Sequence, residues 1–301
     1  MRLITRSDFD GLACGALLEA MGLIDEWFFV HPKDIQDGLV EATENDIVAN
    51  VPYIPGCGMW FDHHSSEEER LGKDFEFKGE SRKAPSCARV IYDYYGGDEK
   101  LGQFAEMLKY ADKMDSADLT REEIMNPTGW ILLGFIVDPR TGLGRIHSFT
   151  ISNLELMKQL AKATFSKSID EILEMPDVKE RVDVYFEQQQ YFIEMLEKYA
   201  RADGKAVYVD MRDIETIYAG NRFLLYTIFP DQNISVWVVD GKNKVKSVIT
   251  VGYSIINKTA TVDVGSLMLK YGGGGHKSVG TCQIPAEDTD MVIREIVAAV
   301  K

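Results

Sequence analysis

Four short stretches carry residue types that can do chemistry. The first is Asp8-Phe9-Asp10-Gly11, two carboxylates one residue apart between an apolar run and a helix-forming one. At a strand end, where the chain turns, both can point into one cleft. Carboxylate oxygens suit hard divalent cations such as magnesium and manganese. The competing reading is a capping loop, with Asp10 as the N-cap of the next helix. The second stretch is Asp62-His63-His64, which holds two of only five histidines (the others are His31, His147 and His276) behind an aspartate. Imidazole ligates manganese, zinc and iron, and a carboxylate can orient a ligating histidine through its other ring nitrogen. A polar loop with two neighbouring histidines is the plain alternative.

The third stretch, Asp112-Lys113-Met114-Asp115-Ser116-Ala117-Asp118, sets three carboxylates at the close of an apolar helix. Alone it reads as a solvated helix end, and it gains weight only beside the first two. The fourth is Gly272-Gly273-Gly274-Gly275-His276-Lys277-Ser278-Val279-Gly280. Consecutive glycines let backbone N–H groups approach an anion without side-chain obstruction, and His276 and Lys277 add donors and charge. A flexible turn is the competing reading.

These stretches need elements to position them. Met1–Thr5, Trp27–Val30, Asp46–Asn50 and Gly58–Phe61 read as short buried strands, and Gly11–Met21 as a helix weakened by Gly15. Pro85 and Gly96 bracket a helix, and Leu101–Lys113 reads as another. Strands alternating with helices predict a parallel sheet covered by helices on both faces, with ligands beyond the carboxyl ends of the strands. The middle is helical: Ser168 and Glu171 have capping-box spacing, and Val178, Val182, Phe186, Ile193 and Leu196 make an apolar stripe. Further on, Ala206–Val209 and Ile234–Val239 read as strands. Asp240-Gly241-Lys242-Asn243 turns the chain into Val245–Tyr253, a hairpin. Helices are expected over Asp263–Lys270 and Thr289–Val300, with a strand over Thr281–Ile284. The expected fold class is α/β. A first domain spans 1–176, a helical linker 177–203, and a smaller α/β domain 204–301.

Composition narrows the function classes. The chain has 301 residues, about two domains, with 45% hydrophobic and 27% charged residues, which excludes a disordered or low-complexity scaffold. No apolar run of 18 residues exists and the first residues lack a signal peptide's apolar stretch, so no membrane association is expected. Cys14, Cys57, Cys87 and Cys282 form no CxxC pair, which fits a reduced cytoplasm. With 33 basic against 48 acidic side chains the formal charge is −15, which disfavours long duplex nucleic acid but not a small anion in a local pocket.

Together the four stretches resemble the DHH family of metal-dependent phosphoesterases, at Asp8-Phe9-Asp10-Gly11, at Asp62-His63-His64, at Asp115-Ser116 and at the Gly-Gly-Gly-His-x-x-x-Gly run ending at Gly280, in the family's order. The exopolyphosphatase-like and oligoribonuclease-like branches are the nearest in character. The resemblance implies a DHH domain in front, a DHH-associated substrate-binding domain behind, and a cleft between. It implies Asp8, Asp10, His63 and Asp115 as metal ligands, Asp62 as the neighbour that orients His63, and His64 facing the substrate phosphate or leaving group. It implies Gly273, Gly274, Gly275 and His276 as a grip on a substrate phosphate. It also implies Mn2+ or Mg2+ as cofactor and a small phosphate-containing substrate: a short oligonucleotide, a cyclic dinucleotide or polyphosphate. A homodimer is left open.

The chain departs from the family at three places. Many members carry a histidine ahead of the two aspartates, where this chain has Ile4 and Arg6. Many carry an aspartate that bridges two metals at a strand end, where the counterpart here is Asn50. An arginine that clamps phosphate in the second domain is missing near Ser254, and Arg222 is the expected substitute. These departures predict one ion rather than two, with the Arg6 guanidinium paired to Asp8 and serving the phosphate. The expectation is a hydrolase of phosphodiester or phosphoanhydride bonds, the alternative a phosphate- or nucleotide-binding regulatory protein of the same fold.

Overall fold

The computed structural model describes residues 1–64, 70–72 and 75–300. Five short strands open the chain: β1 (Arg2–Thr5), β2 (Glu26–Phe29), β3 (Asp46–Ala49), β4 (Met59–Asp62) and β5 (Gly79–Ser81). They form one sheet in the order β2-β1-β3-β4-β5, every pairing parallel. β3 and β4 are buried along their whole length, which is why they read as continuous apolar runs. Alternation along the strands sends Leu3, Ile47, Ala49, Met59 and Phe61 into one core and Ile4, Val48 and Trp60 into another.

Helix α1 (Phe9–Ala20), with the helices Cys87–Tyr94, Ala105–Asp115, Gly129–Val137 and Asn153–Ala163, builds the first core. The helix Gly129–Val137 is apolar all round and buried from Trp130 to Val137. The second face carries less helix than expected. Among the described residues it is covered by the five-residue helix Pro32–Gln36, through Ile35, and by the loop residues Val40, Ala42, Tyr53 and Phe77. Strand order reverses between β1 and β3, the place in an open parallel sheet where loops part and a ligand site forms. Asp8 and Asp10 follow β1, Asn50 follows β3 and His63 follows β4.

The later strands are β6 (Ala200–Asp203), β7 (Ala206–Asp210), β8 (Ile234–Asp240), β9 (Lys246–Tyr253), β10 (Gly274–His276) and β11 (Val279–Pro285). They make a second sheet, β10-β11-β9-β8-β7-β6, antiparallel except at β7–β8. Val236, Val238, Ile249 and Val251 meet the helices Val264–Leu269 and Thr289–Val300 in its core.

The chain divides into two compact units, Met1–Leu119 with Pro127–Tyr185, and Thr120–Asn126 with Phe186–Lys301. The segment expected as a linker over 177–203 is one helix, Pro176–Tyr199, running directly into β6. The excursion Thr120–Asn126 is a capped helical turn tied to the second unit. Asn221 donates to the Ile124 carbonyl at 3.2 Å, and Gln189 to the Met125 carbonyl at 2.8 Å. Among the described residues no helix is long and apolar enough to cross a membrane.

Candidate metal centre

The loop after β1 assigns different work to its two aspartates. Asp8, not Asp10, is the N-cap of α1, its Oδ1 accepting the Gly11 N–H at 3.0 Å. A side chain at position 11 would place its Cβ 1.9 Å from the Arg6 carbonyl oxygen, so the turn requires glycine. Asp10 lies inside the first turn, 3% exposed. Its Oδ2 accepts the Cys87 N–H and its Oδ1 the Ala88 N–H, both at 2.8 Å. These are the leading amides of the helix Cys87–Tyr94, where the helix dipole favours an anion.

His63 follows β4. Its Nδ1 lies 3.2 Å from the Ala84 carbonyl oxygen. A carbonyl only accepts, so Nδ1 carries a proton and Nε2 is the ring atom left to ligate. That Nε2 is buried without a hydrogen-bond partner, 3.8 Å from Asp10 Oδ2 and 3.2 Å from Asp115 Oδ2. Asp115 is the last residue of the helix Ala105–Asp115, where the dipole already disfavours negative charge. Among the described residues, ligand atoms of Asp10, His63 and Asp115 all lie within 4.8 Å of one another.

Buried carboxylates gathered around one imidazole nitrogen repel one another. Unit charges 4 Å apart interact by about 4 kcal/mol at an effective dielectric of about 20. Burial, followed by repulsion from Asp115 and Asp8, pushes the Asp10 carboxyl well above the usual range, and the Ala88 and Cys87 amides offset only part of this. Burial likewise raises Asp115, and Asp8 adds to the rise, while His63, His64 and Arg140 oppose it. A divalent cation converts each of these conflicts into an attraction. Two carboxylates and a neutral imidazole also form a donor set suited to manganese or magnesium, so the residues present fit a metal.

Asp62 orients the other histidine from the one expected. Its Oδ1 accepts from His64 Nδ1 at 2.7 Å. In an extended chain residues i and i+2 share a side and i+1 points away. Asp62 therefore meets His64, and the Ala84 carbonyl takes the orienting place at His63. Burial alone would lower the His64 pKa, but the Asp62 hydrogen bond and charge, with Asp115 and Asp10, raise it to about 9. The two imidazoles meet edge on, 4.3 Å between centroids.

Asp8 and Asn50 are not brought into the metal-ligand group. Both Asp8 oxygens are filled from the chain itself: Oδ1 by Gly11 N–H and by the Asn50 amide at 3.0 Å, Oδ2 by Arg6 Nε at 3.1 Å. Asn50 stands at φ 60°, a left-handed conformation that asparagine tolerates. It turns its N–H2 hydrogens towards Asp8, and a hydrogen-bond donor cannot bridge metals. The expected Arg6–Asp8 pair is present. In the third stretch only Asp115 joins the group, because Asp112 is engaged by Ser86 Oγ at 2.6 Å and by Arg89 at 2.6 and 3.0 Å.

The glycine run belongs to the second unit and is largely a packing feature there. β10 pairs with β11, and a Cβ on Gly273 or Gly275 would fall 2.2 or 2.3 Å from the carbonyl oxygens of Thr281 and Val279. Gly274 alone within β10 has open space at its Cβ position. Arg222 lies over the Phe223 ring, 4.3 Å from its centroid, and His276 is the last residue of β10. Ser254 Oγ caps its own turn, accepting from the Ile256 and Asn257 amides at 3.3 and 2.9 Å.

One cation was missed by the sequence reading. Arg140 follows the apolar helix Gly129–Val137, and Asp8 and Asp115 both act on its charge. Nothing in Asp138-Pro139-Arg140 signals this, because only the fold brings the loop to the acidic group.

No family model matches the chain, and no curated protein does. Solved structures do. The pGpG-specific phosphodiesterase PggH from Vibrio cholerae matches with a TM-score of 0.81 and 44% identity, over 99% of this chain and 98% of that one. A DHH domain assigned to a family of ribosomal proteins matches with a TM-score of 0.57 and 11% identity, over 100% of this chain and 87% of that one. RecJ from Thermus thermophilus in complex with Mn2+ matches with a TM-score of 0.51 and 13% identity, over 99% of this chain and 51% of that one. The latter two likenesses show a shared fold.

Proposed function

The chain belongs to the DHH family of phosphoesterases, and on that premise we propose that it hydrolyses the phosphodiester of a short linear dinucleotide of the pGpG type. The substrate class comes from the 44% identical phosphodiesterase, which this chain matches from end to end. The chemistry rests on one observation, the orphaned His63 Nε2 held between Asp10 and Asp115.

Asp10, His63 and Asp115 would hold a manganese or magnesium ion, which would supply a water nucleophile at neutral pH and withdraw charge from the phosphoryl group. The remaining steps belong to the side chains. Arg6 is fixed by Asp8 through Nε, and among the described residues its two terminal nitrogens have no partner, so they bind a nonbridging phosphate oxygen. His64, oriented by Asp62, protonates the leaving oxygen. Water adds to phosphorus, the P–O bond to the departing ribose breaks, and two mononucleotides result. Gly274, His276 and Arg222 are the second unit's candidate contacts for a substrate phosphate. One ion rather than two is supported by Asp8, whose oxygens are already filled, and by Asn50, which presents donors. A reducing compartment, the cytoplasm, is supported by four free cysteines.

A manganese-supplemented hydrolysis panel tests this reading. It compares pGpG, a cyclic dinucleotide, polyphosphate and a chromogenic phosphodiester, with His63→Ala as control. Mononucleotide release from pGpG is expected, lost in His63→Ala, with about one manganese per chain. Cleavage of another substrate in preference to pGpG, or activity that survives His63→Ala, overturns the reading. Two tightly held ions overturn the single-ion arrangement.

A further inference from the structure

Arg140 is built like Arg6. It sits in the turn Pro139–Thr141, and its Nε donates to Asp138 at 2.7 Å (Oδ1) and 3.0 Å (Oδ2). Its backbone N–H adds a third bond to Asp138 Oδ1 at 2.8 Å. Among the described residues its two terminal nitrogens have no partner, and the side chain is 46% exposed. Arg6 repeats the arrangement with Nε on Asp8 and 29% exposure. In both, a carboxylate two residues away fixes the guanidinium plane at its inner edge. The outer fork, whose geometry matches two phosphate oxygens, stays open. Both belong to segments beside the metal-ligand group. Arg6 pairs with Asp8. Arg140 follows the helix Gly129–Val137, whose Gly134 packs so closely that a Cβ there would lie 2.8 Å from Met114 and 3.3 Å from Phe9, the chain neighbours of Asp115 and of Asp8 and Asp10.

We propose that Arg140 is a phosphate-binding residue of this site, and that Arg6 and Arg140 serve two different phosphates of one substrate, the scissile diester and a terminal monophosphate. This rests on the phosphodiesterase reading and deepens it by naming the substrate feature that is selected. The argument is one of counting. A phosphodiester carries one negative charge and two nonbridging oxygens, which the metal-ligand group and Arg6 already serve. A second anchored guanidinium is surplus to a diester. It matches a terminal phosphate, which carries about −1.5 to −2 charges and three strong acceptor oxygens. A turn-closing pair with Asp138 needs only the Nε edge and gives no reason for the outer fork to stay open.

The test compares pGpG with GpG, which lacks the terminal phosphate, in the wild-type chain, Arg140→Gln and Arg140→Lys. Manganese content is measured for each, as is affinity for inorganic phosphate by calorimetry. In Arg140→Gln the ratio of kcat/KM for pGpG over GpG falls by about ten- to hundredfold, the scale of a lost hydrogen bond to a charged group. Arg140→Lys recovers part of that ratio, and manganese content is unchanged in both variants. An unchanged ratio overturns the proposal, as does a loss of bound manganese along with activity. If the wild-type chain cleaves neither dinucleotide, the phosphodiesterase reading fails by itself. The phosphate titration then decides the role of Arg140: weaker affinity in Arg140→Gln upholds a phosphate site there, and equal affinity overturns it.

Discussion

The two ends of the five-stranded parallel sheet hold carboxylates in opposite states. At the amino end, Asp46 opens β3 with both oxygens filled: Arg2 donates at 2.7 and 3.0 Å, and the Thr43 amide and hydroxyl at 2.7 and 3.0 Å. At the carboxyl end, Asp10 and Asp115 face the bare Nε2 of His63. Asp8 lies near the second group but is treated like the first, its oxygens taken by Arg6, Gly11 and Asn50. Buried charges are tolerated when paired and costly when not. A carboxylate the chain neutralises completely is spent on the fold. One left in conflict with its neighbours reserves its charge for a cation that the chain does not encode.

The contrast breaks hardest at His63. His63→Ala removes a ligand rather than a group that orients one, so kcat/KM is expected to fall by more than the roughly 10- to 100-fold typical of orienting residues. Bound manganese falls with it, while the carboxylates that repel one another remain. A chain that loses stability yet keeps its manganese would reverse the assignment of open and filled groups. The second unit offers the same contrast among glycines. Gly275 stands at φ 151° with a carbonyl oxygen 2.3 Å from its absent Cβ, and Gly274 has open space. Gly275→Ala is expected to destabilise by roughly 3 kcal/mol, and Gly274→Ala by no more than about 0.5 kcal/mol. Urea unfolding separates them. A fall in pGpG turnover in Gly274→Ala at unchanged stability would mark Gly274 as a substrate contact.

Asn50→Asp sharpens the boundary between the two groups. It replaces the amide that donates to Asp8 with a second carboxylate, and the expected loss is about 2 kcal/mol, the scale of a buried acceptor deprived of its donor. No second tightly held manganese is expected while Arg6 keeps its Nε on Asp8. A second ion per chain at undiminished stability would show that Asp8 is as available as Asp10.

The parts legible in the sequence are those where residue type alone fixes the outcome. β3 and β4 could be read because strands buried on both faces are continuous apolar runs. β5 could not, because Gly79-Glu80-Ser81 has no apolar signature and is placed by its pairing with β4. Asp10, His63 and Asp115 were expected together from the family resemblance, since Asp115 alone reads as a solvated helix end, and the fold gathers their ligand atoms within 4.8 Å of one another. Pairings that depend on direction were not. Asp62 was assigned to its adjacent histidine, and strand alternation gave it to the next one. Four glycines suggested an anion-binding loop, and strand packing accounts for Gly273 and Gly275. Arg140 was invisible because its meaning lies wholly in which carboxylates the fold sets beside it.

The amino end gives the smallest and cleanest effect. Burial alone would raise the Asp46 carboxyl, but the Arg2 hydrogen bond, the Thr43 donors and the Arg2 charge together hold it below the usual carboxylate range. A carboxyl whose folded pKa is depressed contributes stability that is fully present above its unfolded value, near 3.9. That stability is lost as pH falls through the lower folded value. Asp46→Asn is therefore expected to destabilise by about 1–2 kcal/mol at pH 7, a figure reduced because Arg2 is partly exposed and screened by solvent. The gap to the wild-type chain closes as pH falls through that depressed folded value, below which both carry a neutral side chain. Phosphodiester turnover per folded molecule at pH 7 stays at the wild-type level, because a carboxylate whose acceptors are all filled holds nothing in reserve for substrate or ion. A gap that never narrows as the pH is lowered from 7 until the chain unfolds would mean that Asp46 is held by shape rather than charge, and the two ends of the sheet would then differ in packing instead of electrostatics.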